Sequence, residues 1–376
     1  MYFLNGDRIY IKPVDGSMSL NKQLQDCLQQ LKNINSGKKI FKLNFFADTH
    51  SDKAYWQLKT TLAQLVHDQF SDPVICSLIA QPPLTCRILV EAFYYDSVLW
   101  KREYITEPSG SAMLFQREDT RVLIGNAEAT QLDACRKNAE DAFSTLGRLL
   151  KTAGQSPGQV VRQWNYMENI ISSSGDKQCY QEFNNVRSDF YSGHFNKNGY
   201  PAATGIGTNR GGVIIEFVSV NSGHAIHIPL DNSLQVSAHD YSENVLIGEN
   251  HDIKSTPKFE RARYLELFGK KQIFISGTAS IRGEKTIGAG DPEKQTEITI
   301  QNMQHLYSQK VLSSVSSHPL QPVYGHARVY LKHRKDYPVI KKTFKKYYGN
   351  LPVVYILADI CRDDLLVEIE GKVILQ

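Results

Sequence analysis

The sequence predicts an α+β fold in which one chain supplies three copies of the same strand and helix unit. Strand-like and helix-like segments recur in the same order in each third of the 376 residues. A short strand phrase that contains a glutamate closes each third, reading LVEA, IIEF and LVEI. The spacing also repeats, because Gly125 and Glu216 lie 91 positions apart, as do Gly277 and Glu368. A chain of this length is expected to form two or three structural units.

The C-terminal third gives the clearest order of elements. A glycine-rich turn separates its first strand from its first helix, which begins with Asp291 as the N-cap and Pro292 at the first helical position. Strands and helices then alternate until the final strand. The predicted elements are QIFISGTAS (272–280), DPEKQTEITIQNMQHLYSQ (291–309), HARVYLKH (326–333), YPVIKKTFKKYYGN (337–350), LPVVYILADI (351–360) and DDLLVEIEGKVIL (363–375).

The middle and first thirds repeat this order, and the first copy lacks an initial hairpin. The middle elements are RVLIGNAEA (121–129), DACRKNAEDAFSTLGRLLKTAG (133–154), VVRQWNYMEN (160–169), YQEFNNVRSDFYSG (180–193), YPAATGIGT (200–208) and GGVIIEFVSV (211–220). The first elements are DRIYIK (7–12), SLNKQLQDCLQQLKN (19–33), IFKLNFFADT (40–49), AYWQLKTTLAQLVHDQF (54–70), PVICSLIAQ (73–81) and CRILVEAFYY (86–95). We therefore expect repeats at 1–93, 94–220 and 221–376, although any α+β chain can be divided into phrases of this kind.

The composition is that of a soluble globular protein. Apolar residues make up 41% and charged residues 22%. The net charge of +4 could help to attract an anionic metabolite, but it is too small to indicate nucleic-acid binding. We see no signal peptide and no apolar run long enough to span a membrane. The six cysteines have no paired spacing, so we expect reduced thiols, a cytoplasmic location and no zinc site.

The repeat unit of about 125 residues resembles the RidA/YjgF family. The phrases ISGTAS and LLVEIE carry this resemblance. Members of that family are homotrimers with clefts between subunits. The resemblance therefore implies an intramolecular pseudo-trimer, in which the copies can diverge and only one cleft need stay active. We expect a monomer with this internal symmetry.

Within that superfamily, the chain resembles the chorismatases. The phrases that carry this resemblance are FNNVR (183–187), PAATGIGT (201–208), QVSAHDYS (235–242), FERA (259–262), SGTASI (276–281) and DICRDDLLVEIEG (359–371). The resemblance implies a small-molecule substrate, chorismate, which is converted with loss of pyruvate and without a metal or organic cofactor. One branch of the family makes 3-hydroxybenzoate, and a hydrolytic branch makes a dihydroxycyclohexadiene carboxylate.

One departure argues against imine deamination, the reaction of RidA-type enzymes. Those enzymes hold the substrate carboxylate with an arginine 15 residues before the glutamate of the final strand. The three copies have Cys76, Pro201 and Val353 at that offset. None of these side chains can make a bidentate contact with a carboxylate.

Glu368 is the predicted catalytic acid. Cleavage of an enol ether requires a proton on its methylene carbon, which calls for a positioned general acid. Strand alternation puts Glu368 on one face with Leu366 and Glu370, and a carboxyl among apolar groups should have a raised pKa. The alternative is a structural glutamate at the centre of the pseudo-trimer, as Glu91 and Glu216 would be.

Cys361 and Gly277 are predicted to shape the pocket around Glu368. A lone cysteine is usually a small core residue. In the 3-hydroxybenzoate-forming chorismatases, however, a cysteine resembling Cys361 accompanies a glycine resembling Gly277, whereas the hydrolytic branch tends to have alanine at both places. The resemblance therefore favours 3-hydroxybenzoate as the product.

Cations are needed to hold the two carboxylates of chorismate. Arg187 in FNNVR and Arg261 in FERA are the best candidates, because a guanidinium fork matches a carboxylate. They come from different copies, which suits a cleft between copies. Tyr241 and Lys332 are weaker candidates for ring or hydroxyl contacts, and each of the four residues could instead have only a packing or surface role.

Three functions remain open on the sequence. The first is a chorismatase that makes 3-hydroxybenzoate and pyruvate for aromatic secondary metabolism. The second is the hydrolytic chorismatase, with the same binding site and a different product. The third is a RidA-like protein that binds a small aromatic acid without catalysis.

Overall fold

The structure is a computed structural model that describes residues 2–6, 8–32, 37–131, 134–174, 177–194, 199–240 and 255–376. Its strands form three main sheets and two short two-stranded ribbons, and its helices pack on the main sheets. Sheet 1 contains β1 (Arg8–Ile11), β2 (Lys39–Ala47), β3 (Ile75–Ile79) and β4 (Ile88–Tyr95), with helices α1 (Leu20–Lys32) and α2 (Asp52–Gln69).

Sheets 2 and 3 are larger. Sheet 2 contains β5 (Lys101–Glu107), β6 (Gly110–Arg117), β7 (Thr120–Ala129), β8 (Val160–Glu168), β11 (Ala202–Thr208) and β12 (Val213–Asn221), with α3 (Cys135–Thr152), the small ribbon β9 (Ser173–Ser174) and β10 (Lys177–Gln178), and α4 (Cys179–Phe190). Sheet 3 contains β13 (Ile226–Leu230), β14 (Ala262–Leu267), β15 (Lys270–Ala279), β18 (Pro322–Leu331), β19 (Val353–Leu357) and β20 (Val367–Leu375), with the ribbon β16 (Ile281–Arg282) and β17 (Lys285–Thr286), and helices α5 (Pro292–Leu306), α6 (Gln309–Leu312) and α7 (Tyr337–Tyr348).

The three sheets share one topology. Their strand orders are β1-β4-β2-β3, β11-β8-β12-β7-β6-β5 and β13-β14-β15-β20-β18-β19. In each sheet the final strand of the repeat runs antiparallel between two neighbours, and one edge is a parallel pair. The first sheet lacks the outer hairpin of the other two. The predicted α+β class and the three repeats are therefore confirmed.

Local sequence signals explain where key helices begin. Asp291 is the N-cap of α5, and its carboxylate accepts a hydrogen bond from Lys294 N at 2.9 Å. Pro292 follows at the first helical position, where its missing N–H costs nothing. Ser51 caps α2 in the same way through Ala54 N at 3.2 Å.

Four apolar cores hold the molecule together. Three of them lie between one sheet and its own helices, and contain residues such as Leu43, Leu146 and Ile300. The fourth lies where the opposite faces of the sheets meet, and it contains Leu89, Ile214 and other residues from all three repeats. Because both faces of the sheets are covered, the final strands are almost continuously buried.

A ring of buried charges links the three repeats at this centre. One cation from each repeat pairs with a glutamate of the next repeat, and all of these side chains are at most 2% exposed. We call the following residues the central charge ring: Lys42 with Glu216, Arg162 with Glu370, and Arg328 with Glu91. The pairing is cyclic, from repeat 1 to 2, 2 to 3 and 3 to 1, as three-fold pseudo-symmetry requires.

This ring corrects one sequence prediction. Glu370, and not Glu368, is the counterpart of Glu91 and Glu216, and each of the three is the fourth residue of its strand. The equal spacing along the chain is misleading because Gly125 and Gly277 are not equivalent. Gly125 lies opposite Phe217, whereas the residue opposite the matching Gly371 is Ile275. The strand positions that match Glu368 hold Leu89 and Ile214, so this acid occurs in the third repeat alone.

A second correction concerns the cysteines. The prediction of six reduced thiols is wrong for Cys135 and Cys179, which form a disulfide with their Cα atoms 5.3 Å apart. Each is the first residue of a helix, α3 or α4, and these helices pack side by side. This proximity is tertiary, since 44 positions separate the two cysteines along the chain. Within the described residues, no helix is both long and apolar enough to cross a membrane.

Candidate active site

A cavity of about 390 Å³ lies between the second and third repeats. This volume is within the usual range for small-molecule sites. We call it the inter-repeat cavity. It is lined by Gln178, Tyr180, Gln181, Asn184, Arg187, Ala203, Gly205, Pro257, Phe259, Arg261, Gly277, Ala279, Ile281, Cys361, Arg362, Leu365 and Glu368.

Helix α4 supplies the wall from the second repeat. Tyr180, Asn184 and Arg187 follow one another at four- and three-residue spacing, so they share a helix face. Arg187 is 1% exposed, and its Nη2 donates to Asn184 Oδ1 at 2.7 Å. Burial lowers the pKa of Arg187, and Tyr180 and Tyr191 partly oppose this. The Arg187 Nε has no hydrogen-bond partner among the described residues, so an anionic ligand would stabilise this side chain.

The segment before β14, in the third repeat, supplies a second cation to the cavity. Arg261 is 5% exposed, and its Nη2 donates to Val236 O at 2.8 Å. The guanidinium carbons of Arg187 and Arg261 lie 5.6 and 5.5 Å from the centre of the Phe259 ring. Phe259 therefore lies within cation–π distance of two buried guanidiniums. Arg362 adds a third guanidinium to the lining, held by Glu284 O at 2.9 Å.

Glu368 is the acid of this cavity. It is the second residue of β20 and is 4% exposed. Its carboxyl lies against Gly277, where an added Cβ would overlap Oε1. Burial, together with the nearby Glu370, raises the pKa of Glu368 to about 8, and Arg162 and Arg261 oppose part of this rise. The carboxyl is therefore largely protonated at neutral pH, as a general acid must be.

Cys361 also lines the cavity close to this acid. Burial raises the pKa of the Cys361 thiol to about 12, and the nearby Glu368 contributes to this. A thiol in this state is neutral and a poor nucleophile. Cys361 can shape the cavity, but it does not supply a thiolate.

The structure brings together five of the seven predicted site residues, namely Arg187, Arg261, Gly277, Cys361 and Glu368. Lys332 does not line the cavity. Its Nζ donates to Asp363 O at 2.7 Å and pairs with the Asp363 carboxylate at 3.1 Å, because the chain after β18 turns towards that loop. Tyr241 lies outside the described residues.

Several lining residues were missed by the sequence reasoning. Tyr180, Gln181 and Asn184 could have been found, because they share a helix with Arg187 at helical spacing. Arg362 stands beside Cys361 in the phrase that carried the family resemblance. Within the described ranges, no group of three His, Cys, Asp or Glu side chains is arranged to hold a metal ion.

Comparison with known proteins gives a consistent result. The family model described as chorismatase FkbO/Hyg5-like, N-terminal, matches residues 99–219. A protein of Streptomyces hygroscopicus named 3-hydroxybenzoate synthase is 31% identical over 244 residues, which cover 62% of this chain and 68% of that protein. A chorismatase of Streptomyces rapamycinicus is 30% identical over 224 residues, which cover 57% and 64%. This chain belongs to the chorismatase family.

Solved structures agree on the fold. A chorismatase crystal structure matches with a TM-score of 0.73 at 22% identity, and covers 98% of both chains. A YjgF-family protein of Neisseria meningitidis covers 32% of this chain and 89% of its own, at 20% identity and a TM-score of 0.23. The predicted fold, three α+β repeats forming an intramolecular pseudo-trimer, is confirmed by the three sheets and by the chorismatase structure.

Proposed function

We propose that this protein converts chorismate to 3-hydroxybenzoate and pyruvate, with Glu368 as the general acid on the enolpyruvyl ether. One observation carries the proposal. A buried carboxyl that is protonated near neutral pH faces a cavity with Arg187 and Arg261 in its walls. Similarity to relatives named 3-hydroxybenzoate synthase and chorismatase supports the same substrate.

The first chemical step is proton transfer from Glu368 to the methylene carbon of the enolpyruvyl group. This creates an oxocarbenium ion and leaves a carboxylate, whose negative charge stabilises the cation across a short gap. Carbon protonation is slow in water at neutral pH. A desolvated acid with a pKa of about 8 can retain its proton at neutral pH and still donate it.

Arg187 and Arg261 are the proposed carboxylate-binding residues. A guanidinium can make two parallel hydrogen bonds to a carboxylate, which fixes orientation as well as position. Because the two arginines come from different repeats and both line the cavity, they can bind the two carboxylates of one substrate. Held in this way, the substrate presents its ether to Glu368.

The product depends on what captures the cation. Chorismate has the same atoms as 3-hydroxybenzoate plus pyruvate, so that route consumes no water overall. The hydrolytic route adds one water molecule and leaves a dihydroxycyclohexadiene carboxylate. A tight cavity around Glu368 favours the first route, since water must be kept from the cation while the ring aromatises.

Product analysis tests the proposal directly. Purified protein incubated with chorismate is expected to release pyruvate and 3-hydroxybenzoate in equal amounts, as measured by chromatography against a protein-free control. A diol in place of 3-hydroxybenzoate would replace the proposed product with that of the hydrolytic branch. Pyruvate no faster than in the control would remove the enzymatic function altogether.

The double variant Cys361→Ala with Gly277→Ala is expected to move product towards the diol. An alanine Cβ at position 277 must displace the Glu368 carboxyl, and loss of the Cys361 Sγ opens space beside it that water can enter. We expect the diol share to rise several-fold in the same chromatographic assay. Cys76→Ala, which removes a thiol that does not line this cavity, is the matched control and should leave the product unchanged. An unaltered product ratio in the double variant would show that these two residues do not control the partition.

A further inference from the structure

Thr204 lies on β11 between the cavity-lining residues Ala203 and Gly205, and connects the central charge ring to Gly277, which lies beside the acid. The Thr204 hydroxyl donates to Glu370 Oε2 at 2.5 Å, and accepts from Arg162 Nη2 at 2.7 Å. It also accepts from Gly277 N at 3.1 Å. Thr204 is fully buried, so its one proton and both of its lone pairs are used inside the protein.

The bond to Gly277 matters because of where Gly277 lies. The β15 bulge takes this residue out of the regular register with β20. Bulges leave a residue unpaired in the strand ladder, so the Gly277 N–H needs another acceptor. The Glu368 carboxyl lies beside Gly277, with its Oε1 where it would overlap a Cβ added to that residue. Thr204 Oγ1 takes the N–H instead.

We propose that Thr204 is a positioning residue that withholds the Gly277 N–H from Glu368 and fixes the backbone against which the acid lies, an inference that rests on the proposed function of Glu368. A backbone N–H aimed at a carboxylate favours its ionised form. By accepting that N–H, Thr204 helps to keep the acid protonated. Its link to the buried Arg162–Glu370 pair holds the hydroxyl in the orientation that accepts.

The charges around Glu368 come from several elements. Glu370 lies two residues along β20, and Arg162 reaches it from β8. Arg261 acts from the segment before β14, Cys361 from the loop before β20, and Tyr330 from β18. A change at Thr204 removes a neutral hydroxyl and its hydrogen bonds with Glu370, Arg162 and Gly277, while each of these charges stays in the protein. A shift in the titration of Glu368 would therefore report the hydrogen-bond arrangement.

The other repeats supply a matched control position. Ser77 on β3 corresponds to Thr204, because each lies two residues beyond the partner of a charge-ring cation, Lys42 or Arg162. The Ser77 hydroxyl accepts from Asn126 Nδ2 at 3.1 Å and does not line the inter-repeat cavity. Removing it perturbs a similar buried site away from Glu368.

The test is Thr204→Val, which removes the hydroxyl and keeps the shape. The Glu368 carboxyl would be titrated by carbon-13 NMR with labelled glutamate, assigned with Glu368→Gln, and the pH profile of pyruvate release would be measured beside it. We expect the apparent pKa to fall by about one unit. Pyruvate release should fall about threefold at pH 7.5 and about tenfold above pH 9, because less of the acid is protonated.

Thr204→Ser keeps the hydroxyl and should have the wild-type titration and pH profile. Ser77→Ala, the control, should have the wild-type profile as well. If Thr204→Val does not fold, Thr204→Cys, with its weak acceptor, replaces it. A wild-type titration of Glu368 in the folded variant would overturn the inference, as would an equal shift in Ser77→Ala. If the wild-type protein releases no pyruvate, the proposed function fails, but the NMR titration still tests the role of Thr204.

Discussion

Glu368→Gln is expected to lower kcat for chorismate by about 10²- to 10⁴-fold, the range in which general acids contribute. The amide has nearly the same shape as the protonated carboxyl, so the cavity and its arginines should keep their arrangement. It cannot deliver a proton to carbon. Pyruvate release at saturating chorismate is the measurement, and a folded variant with normal turnover would show that Glu368 is not the acid.

The same variant should change the pH dependence of stability in a characteristic way. The pKa of Glu368 is about 8 in the folded protein, above the usual value of 4.5. Folded protein therefore holds this proton while unfolded protein releases it, and the free energy of unfolding falls as pH rises from about 4.5 to about 8. Glu368→Gln removes this dependence. We expect it to be more stable than the wild type at pH 8, by roughly 4 kcal/mol.

Denaturant unfolding at pH 5 and pH 8 measures this difference. Glu118→Gln is the control, since the Glu118 side chain is 62% exposed and contacts only a neighbouring arginine among the described ion pairs. It should change neither turnover nor the pH dependence of stability. Loss of activity together with a gain in stability at high pH is expected if Glu368 is the catalytic acid and its ionised form destabilises the folded protein. An inactive variant that is also less stable at pH 8 would instead indicate disruption of the site.

The general architecture could be predicted because local sequence patterns indicate its helices, strands and repeats. Helix periodicity, the Asp291-Pro292 start and the repeated final strand are properties of neighbouring residues. The position of Glu368 relative to the other glutamates could not be obtained in this way. It depends on the strand register, which is visible only when β12 is paired with β7 and β20 with β15.

The same distinction applies to the site. Arg187 and its helix face follow from spacing within α4, so the sequence contains the information for that wall of the cavity. Lys332 was misassigned because its direction depends on the loop that contains Asp363, which is distant from it in sequence. The Cys135–Cys179 disulfide was missed for the same reason. Contacts between distant segments decide these points, and a single sequence does not display them.

The correction of the register strengthens the case for one active cleft. If Glu368 were equivalent to Glu91 and Glu216, it would be expected to form a structural ion pair as they do, and an acid role would need a separate explanation. The equivalent strand positions are apolar, with Leu89 and Ile214 buried in the central core. Glu370 fills the structural role in the third repeat. Glu368 is therefore an acid without an equivalent in the other two repeats, which have apolar core residues at this strand position.

Arg328→Met is expected to be the most destabilising single change in the central charge ring. Arg328 is fully buried, pairs with Glu91, and lies 3.1 Å from Glu370. Its Nη1 also donates to Tyr166 Oη at 2.7 Å. Arg328 thus neutralises carboxylates from the first and third repeats at once. Removing one partner of a buried ion pair leaves an uncompensated charge, which costs about 3–5 kcal/mol.

Unfolding in guanidinium chloride at pH 7 would measure this loss, with Lys137→Met as the control. Lys137 pairs with Asp141 at 2.7 Å on the surface of α3, where both side chains are at least 36% exposed, and such pairs contribute at most about 1 kcal/mol. Burial tends to raise the pKa of Glu91, but Arg328 and Arg8 outweigh it and keep the pKa low. Without Arg328, protonation should relieve part of the penalty, so the deficit of Arg328→Met should shrink as the pH is lowered towards 5. A loss no greater than that of Lys137→Met would mean that the ring does not hold the three repeats together, and that the apolar central core does so alone.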